Sequence, residues 1–273
     1  MVGVWGLGFI GSILIAGLAY WRRSLSMSGF IGAVGLGTWM YAAGSLPWFG
    51  TLIAFFISST LLSKVKHAVK AEAESGYAKG GRRDAGQVAA NGGLALLLCI
   101  FHSIWPHTVW WCLFLGVMAT VNADTWATEI GGMSRSVPRS ILNGRKVAAG
   151  TSGGITALGI GASVAGGAFI GAVACVLMAI RPGSLGEPWY FYMLAAAIAG
   201  FVGSLADSFL GATLQTMYHC ETCGKVIEKR VHCGQSSKQV RGFKWMTNDG
   251  VNALSSLVGG AVSWLLYLAS FPY

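Results

Sequence analysis

The run TVWWCLFLGVMATVNADTWATEIGG, from Thr108 to Gly132, decides how this chain is read. Its first half is apolar without a break and suits a segment that crosses a lipid bilayer. Its second half carries Asp124 and Glu129, five residues apart, with no basic residue between them. A carboxylate held inside a membrane costs about 2.5–3.5 kcal/mol on insertion scales, so two of them here call for a function.

The rest of the 273 residues agrees with a membrane setting. The chain is 54% hydrophobic and only 11% charged, with 40 glycines and 11 tryptophans, which excludes an ordinary soluble enzyme. Small residues in runs such as GGAFIGAVAC, around Gly167 and Gly171, let helices approach closely where lipid offers no hydrophobic drive between them. Apolar runs near the length needed for a ~30 Å core fall at about 2–20, 28–47, 49–63, 87–105, 108–124, 152–180, 189–217 and 249–271. The predicted fold is all-α: one polytopic membrane helical bundle over residues 1–273, with about eight transmembrane helices (roughly seven to nine). Arg22 and Arg23 follow the first apolar run instead of preceding it, and no cleavage site is evident, so a secretory signal peptide is not expected.

With eight alternating spans, every Lys and Arg except Arg181 lies on one side. They sit at Arg22 and Arg23, in a connection at 64–86, in a basic loop at 131–149 and in a Cys-rich loop at 218–247. The positive-inside rule makes that side cytosolic and places both termini outside, as in a multi-pass protein of the cell membrane. The opposite connections, GSLPWFG, HSIWPHT and RPGSLGEPW, are short and rich in Trp and Pro. The formal charge of +9 thus reads as topology and contact with anionic membrane lipid, and no nucleic-acid partner is expected.

On this topology the polar residues gather in one shallow cytosolic layer. DAGQVAANGG puts Gln87 and Asn91 on one helical face at the start of span four. Asp124 and Glu129 end span five, and AAGTSGGIT opens span six with Gly150, Thr151, Ser152, Gly153 and Gly154. GSLADSFLGATLQ places Asp207 in span seven, about three turns from its cytosolic end. TNDGVNALSS opens span eight with Asn248, Asp249 and Asn252. Interhelical hydrogen bonding is a competing role for Asn91 and Asn252. Solvated helix-end charge competes for Asp124 and Glu129, and hydrogen-bonded packing for Asp207.

Acids beside a Gly-rich turn and basic loops suit Mg²⁺, which takes oxygen ligands and is held by one or two carboxylates plus substrate phosphates. Asp124, Glu129 and Asp207 are the candidate metal ligands, with Asp249 beside them. The GTSGG turn is expected to present backbone N–H groups to phosphate at a helix N-terminus, with Lys146 or Arg145 just upstream to pair with phosphate oxygens. No GK[ST] follows it, so it is not a P-loop. Arg82 and Arg83, just before Gln87, are placed to reach a phosphate as well. NADTW (Asn122–Trp126) and LADSF (Leu205–Phe209) also echo each other, as two acid-bearing helices clasping one site would.

MYHCETCGKVIEKRVHCG, Met217 to Gly234, carries Cys220, Cys223 and Cys233. CxxCG presents two thiolates to one tetrahedral ion, so a structural Zn²⁺ is a candidate, with His232 or His219 as the fourth ligand. His232 is the strained choice because it adjoins Cys233. A cytosolic loop argues against disulfides. Cys99, Cys112 and Cys175 lie in spans and read as packing residues.

RRDAGQVAANGG, NADTWATEIGG, GTSGGIT, GSLADSFLGATLQ and NDGVNALSS, in this order, resemble the integral membrane family that includes the plant phytyl-phosphate kinase of tocopherol synthesis and its bacterial, archaeal and animal relatives. The similarity spans about residues 28–268. The resemblance implies a polyprenyl monophosphate kinase that moves a phosphoryl group from a nucleoside triphosphate, CTP or ATP, to a prenyl monophosphate lipid. It implies an acidic cluster of Asp124, Glu129 and Asp207, a phosphate loop at Thr151–Gly154, and a polar helix start at Asn248, Asp249 and Asn252. Gly-lined helix faces would double as a groove for the lipid tail. Two other classes compete: a CTP-dependent nucleotidyltransferase making a CDP-activated lipid, and a transporter of ions or phosphate-bearing solutes. A transporter needs polar groups reaching the outer side, where this sequence is bare. Nothing in the sequence excludes a homo-oligomer.

Overall fold

The computed structural model describes residues 2–65, 76–180 and 187–272. Parts of the 64–86 connection, with His67, Lys66 and Lys70, and Arg181, which was expected on the outer side, lie outside the described residues. Seven helices are described: α1 (Val2–Trp21), α2 (Met27–Ser63), α3 (Ala85–Ile104), α4 (Thr108–Gly131), α5 (Ala157–Ala179), α6 (Trp189–Thr213) and α7 (Asn248–Ser270). All but α4 are long and apolar enough to cross a membrane.

A straight helix of 37 residues would extend about 55 Å. In α2 the backbone instead breaks at Ser45 (φ 63°, ψ −163°), two residues before Pro47. Proline has no N–H to give and its ring collides with the carbonyl four residues back, so the helix ends where the sequence reads GSLPWFG. The arms 27–44 and 46–63 fold against each other. The Tyr41 and Phe49 ring centroids lie 5.5 Å apart, and Ala33 and Leu36 of the first arm face Leu52, Ile53 and Phe56 of the second. This is the turn expected between the second and third apolar spans.

Helix α4 runs through the middle of the bundle, in contact with α5, α6 and α7. Its Phe114, Leu115, Met118 and Ala119 are fully buried. Glycine allows this approach: a Cβ added to Gly116 would lie within 2.3 Å of the Gly259 carbonyl oxygen on α7. Such small-residue seams join helices where burial of apolar surface gives no drive. The polar residues of α4 are satisfied across the bundle. Thr120 Oγ1 donates to Gly116 O (2.9 Å) and Ala199 O (3.3 Å), Asn122 Nδ2 to Gly166 O (2.8 Å), and Ser58 Oγ to Asn122 Oδ1 (2.9 Å).

One end of the bundle gathers the connections that hold most of the basic residues. Ser26 N donates to Arg83 O (2.9 Å), Ser63 Oγ to Glu129 Oε1 (2.6 Å), and Thr216 N to Met246 O (2.9 Å). The opposite end is aromatic: Trp48 packs on Trp111 (5.1 Å) and Phe114 (4.4 Å), and Phe191 packs on Phe271 (5.0 Å). The polar end also carries short strands, so the all-α expectation holds for the bundle and not for its loops. β1 (Arg139–Ser140) pairs antiparallel with β2 (Gly154–Ile155). β3 (Met217–His219) lies between β4 (Val226–Ile227) and β7 (Lys238–Arg241), and β5 (Val231–His232) pairs with β6 (Gln235–Ser236). Two expected spans shorten accordingly: 152–156 is loop and strand ahead of α5, and α6 ends at Thr213, not 217.

Candidate functional site

At the polar end a cavity of about 1200 Å³ is enclosed by α3, α4, α5, α6, α7 and the loops between them. It is lined by Asp124, Glu129, Asp207 and Asp249, by Gly150 to Gly154, and by Arg83, Gln87, Asn91, Asn248 and Asn252. Residues more than 120 positions apart in sequence thus face one space.

Asp124 and Asp207 form its floor. They come from α4 and α6, close enough for their charges to interact. Ser204, one turn before Asp207, hydrogen-bonds Asp124. Ser255 Oγ donates to Asp207 Oδ2 (2.9 Å). The Asn252 amide has two orientations: one donates weakly to Asn91 Oδ1 (3.4 Å), the other to Asp207 Oδ2 (3.0 Å). The second leaves a carboxylate facing a donor instead of an acceptor, so it is the one adopted. Among the described residues neither carboxylate forms an ion pair. Two like charges with only hydroxyl and amide partners are the arrangement a divalent cation satisfies. The sequence echo is fulfilled in the acids and in the hydroxyl residues after them, Thr125 and Ser208, which all line the cavity, but not in the aromatics, since Trp126 is held by Ser58 (3.3 Å) and Phe169 whereas Phe209 is exposed.

Glu129 stands farther out on α4, receiving Ser63 Oγ and lying near Arg83. Burial pulls the Arg83 guanidinium below its ordinary pKa, and the Glu129 charge opposes that pull. Arg83 donates to Thr60 Oγ1 (3.4 Å) and stacks over the Phe55 and Phe56 rings at 5.8 Å. Arg82 corrects an expectation: its Nε donates to Leu25 O (3.0 Å) and its guanidinium covers Tyr20, facing away from the cavity. Gln87 lines the cavity but also closes a capping box with Asp84, its Oε1 accepting Asp84 N (3.1 Å).

The glycine turn is held as a loop and not as a helix start. Gly154 N donates to Thr151 O (2.9 Å), Ile141 N to Gly153 O (2.9 Å), and Ser152 Oγ to Gln215 Oε1 (2.9 Å). The first turn of α5 is capped by its own Thr156, whose Oγ1 accepts Gly159 N (3.0 Å). The expected helix-dipole contribution at Gly150–Gly154 is therefore corrected: the loop sits one turn away from that N-terminus. Lys146 is a second correction, being exposed on the hairpin beside Arg139 and not part of the cavity wall.

Two residues absent from the sequence-based site hold it together. Glu228, in the Cys-rich loop, accepts Ala78 N (Oε2, 3.0 Å) and Gln215 Nε2 (Oε1, 2.8 Å). Burial pushes its pKa up, and these two donors pull it back. Lys79 bridges Asp249 Oδ2 (2.5 Å) and Asp84 Oδ2 (3.0 Å), tying α7 to the start of α3. Lys229, Arg230, Arg135 and Lys244 add positive charge to the cavity wall. Only the basic character of these loops was available in the sequence to mark them.

Beside the cavity, Cys220, Cys223, His232 and Cys233 each place a ligand atom within 4.8 Å of the others. His232 Nδ1 lies 3.2 Å from Cys233 Sγ and 3.5 Å from Cys223 Sγ. Two turns build the group, with Gly224 (φ 70°) after the first cysteine pair and Cys233 itself at φ 50°. That left-handed backbone is how adjacent His232 and Cys233 both face inward. The donor set and its closeness suit a tetrahedral zinc ion.

A family model described as "Integral membrane protein DUF92" matches residues 10–260. The chain is 32% identical to Protein PGR of Arabidopsis thaliana over 95% of this chain and 93% of that one. It is 26% identical to an uncharacterized membrane protein, MJ0933, of Methanocaldococcus jannaschii, over 95% of this chain and 94% of that one. It is 25% identical to Protein VTE6, chloroplastic, of Arabidopsis thaliana, over 93% of this chain and 68% of that one. No solved structure matches.

Proposed function

The chain belongs to the DUF92 family of integral membrane proteins, and on that premise we propose that it is a polyprenyl monophosphate kinase working at the cytosolic face of the cell membrane. The plant relative VTE6 is a phytyl-phosphate kinase, and that activity is carried to this chain as the proposal. The observation that supports it most is the single cavity of about 1200 Å³ joining Asp124, Asp207, the Gly150–Gly154 loop and the basic wall. Single-ligand sites commonly fill about 300–1,000 Å³, so this one has room for a nucleotide and a lipid head together.

Phosphoryl transfer between two anions needs alignment and charge neutralisation more than covalent help. An oxygen of the prenyl monophosphate attacks the terminal phosphorus of CTP or ATP, the bond to the bridging oxygen breaks, and a nucleoside diphosphate leaves. The acceptor is already ionised, so no strong base is required. Lys229, Arg230, Arg135 and Lys244 would steady the donor phosphates, and Arg83 the acceptor. Magnesium, which Asp124 and Asp207 would hold with Glu129 and Asp249 nearby, would neutralise charge on both phosphates. Zinc held by Cys220, Cys223, His232 and Cys233 would be structural. It would fix the loop that carries Glu228, Lys229 and Arg230.

The test is purified protein incubated with a panel of prenyl monophosphates and CTP or ATP labelled in the terminal phosphate. Label appearing in prenyl diphosphate, with release of nucleoside diphosphate, is the expected result. Pyrophosphate with a CDP-lipid instead would make the protein a nucleotidyltransferase. Folded protein that moves neither group, yet carries solute across proteoliposomes, would make it a transporter.

A further inference from the structure

A second, smaller pocket lies between α1, the two arms of α2 and α3, and it opens beside the polar cavity. Its walls are apolar, among them Ile15, Leu36, Leu52, Ile53, Phe56 and Val88. Three residues line both spaces: Arg83, Gln87 and Asn91. Gln87 and Asn91 stand one turn apart on α3, and Asn91 adjoins Asn252, which reaches Asp207. Arg83, Gln87 and Asn91 therefore stand between the apolar walls and the acidic cavity. Arg83 marks the boundary, with Phe55 and Phe56 beneath its guanidinium and Glu129 on its polar side.

We propose that this pocket seats the first isoprene unit of the lipid substrate, next to the phosphate, with Arg83 at its mouth holding that phosphate. The proposal rests on the prenyl-phosphate reading above and adds where the tail begins. The pocket is small, about 60 Å³, and its polar lining is confined to Ser12, Arg83, Gln87 and Asn91, so it suits the start of an apolar tail and not its whole length. The remainder of the chain would leave between helices into the bilayer. Ser12 supplies a second, independent sign of an occupant. It lines the pocket at 3% exposure, with a hydroxyl that has no partner among the described residues. The π face of an alkene, like that of an aromatic ring, can receive such a hydroxyl as a weak hydrogen bond. Arg83, with five N–H donors and one weak bond to Thr60, has donors left for phosphate oxygens.

The test uses the full chain in lipid nanodiscs and two photoprobes. One is farnesyl monophosphate with a diazirine on the first isoprene unit, the other with it on the last. The first probe is expected to label Leu36, Leu52 or Ile53 and to be displaced by unlabelled farnesyl monophosphate; the second is expected to label elsewhere. Ala33→Phe, which fills the pocket, is expected to raise KM for farnesyl monophosphate at least about tenfold with KM for the nucleotide unchanged. Displaceable label on other helices, or no displaceable label at all, overturns the pocket assignment even if turnover is intact. Label in the pocket without phosphoryl transfer keeps the lipid site and removes the kinase reading.

Discussion

Gly153→Ala separates the packing role of the glycine loop from its backbone conformation, because Gly144 provides a control in the same segment. Both residues have positive φ, 84° at Gly153 and 69° at Gly144. Forcing an L side chain into that region costs about 1–2 kcal/mol at either position. They differ in what a Cβ meets. At Gly144 nothing lies within 4 Å, whereas at Gly153 the new carbon would stand 2.4 Å from Ala212 Cβ and 2.9 Å from Ser208 O, both on α6. Backbone cannot yield as a side-chain tip can, so overpacking adds about 1–3 kcal/mol. Gly144→Ala should therefore lose about 1–2 kcal/mol and Gly153→Ala about 2–5 kcal/mol. At about 2–4 °C per kcal/mol for a chain near this size, the two melting temperatures should differ by roughly 2–12 °C. Turnover carries a further signature. Relief of the clash pushes the loop off α6 next to Asp207, and a misplacement near 1 Å costs about 100-fold in rate. The assay is a thermal melt in detergent together with prenyl phosphate phosphorylation below both transitions. If Gly153→Ala melts with Gly144→Ala and turns over as the unmodified protein does, the loop does not position the site.

Asp124→Asn and Asp207→Asn should each lower phosphoryl transfer by at least about 100-fold while leaving the melt of the metal-free protein unlowered, since each removes charge from a pair that forms no ion pair among the described residues; unchanged turnover would remove that acid from the mechanism. Excess chelator should stop transfer and added Mg²⁺ restore it, so activity persisting in chelator would count against metal assistance. Purified protein should carry about one zinc per chain, and Cys220→Ser should lose it with a lower melt; metal-free protein with a harmless Cys220→Ser would retire the zinc assignment. Asp84→Ala should cost about 1 kcal/mol by removing a capping box. Burial alone would raise the Asp84 carboxyl, but the Gln87 N–H and Lys79 outweigh it and hold it below its ordinary value. Its contribution is thus present at neutral pH and lost as pH falls through the folded carboxyl's acid range, so the substitution should flatten the acid limb of a pH–stability curve, and an unaltered limb would refute this.

The sequence by itself determined the membrane-spanning helical class, the break at GSLPWFG, the placing of Asp124 and Asp207 in the later parts of their helices, and the closeness of the Cys220–Cys223 pair. Each is a local property: hydrophobic run length, a proline, a helical rise, a two-residue spacing. It could not say which flanking charge turns inward. Arg82 and Arg83 are adjacent, yet one covers Tyr20 and the other lines the cavity. That choice follows from strand-like pairing of Arg83 with Ser24 and Ser26 across the end of α1. Glu228 and Lys79 became visible only in three dimensions, because one partner of each, Ala78 and Asp249, lies 150 and 170 residues away. The physical reason is registry. How far one helix slides along the next is set by seams such as Gly116 against Gly259 and Thr120 against Gly203, and no single segment carries that information.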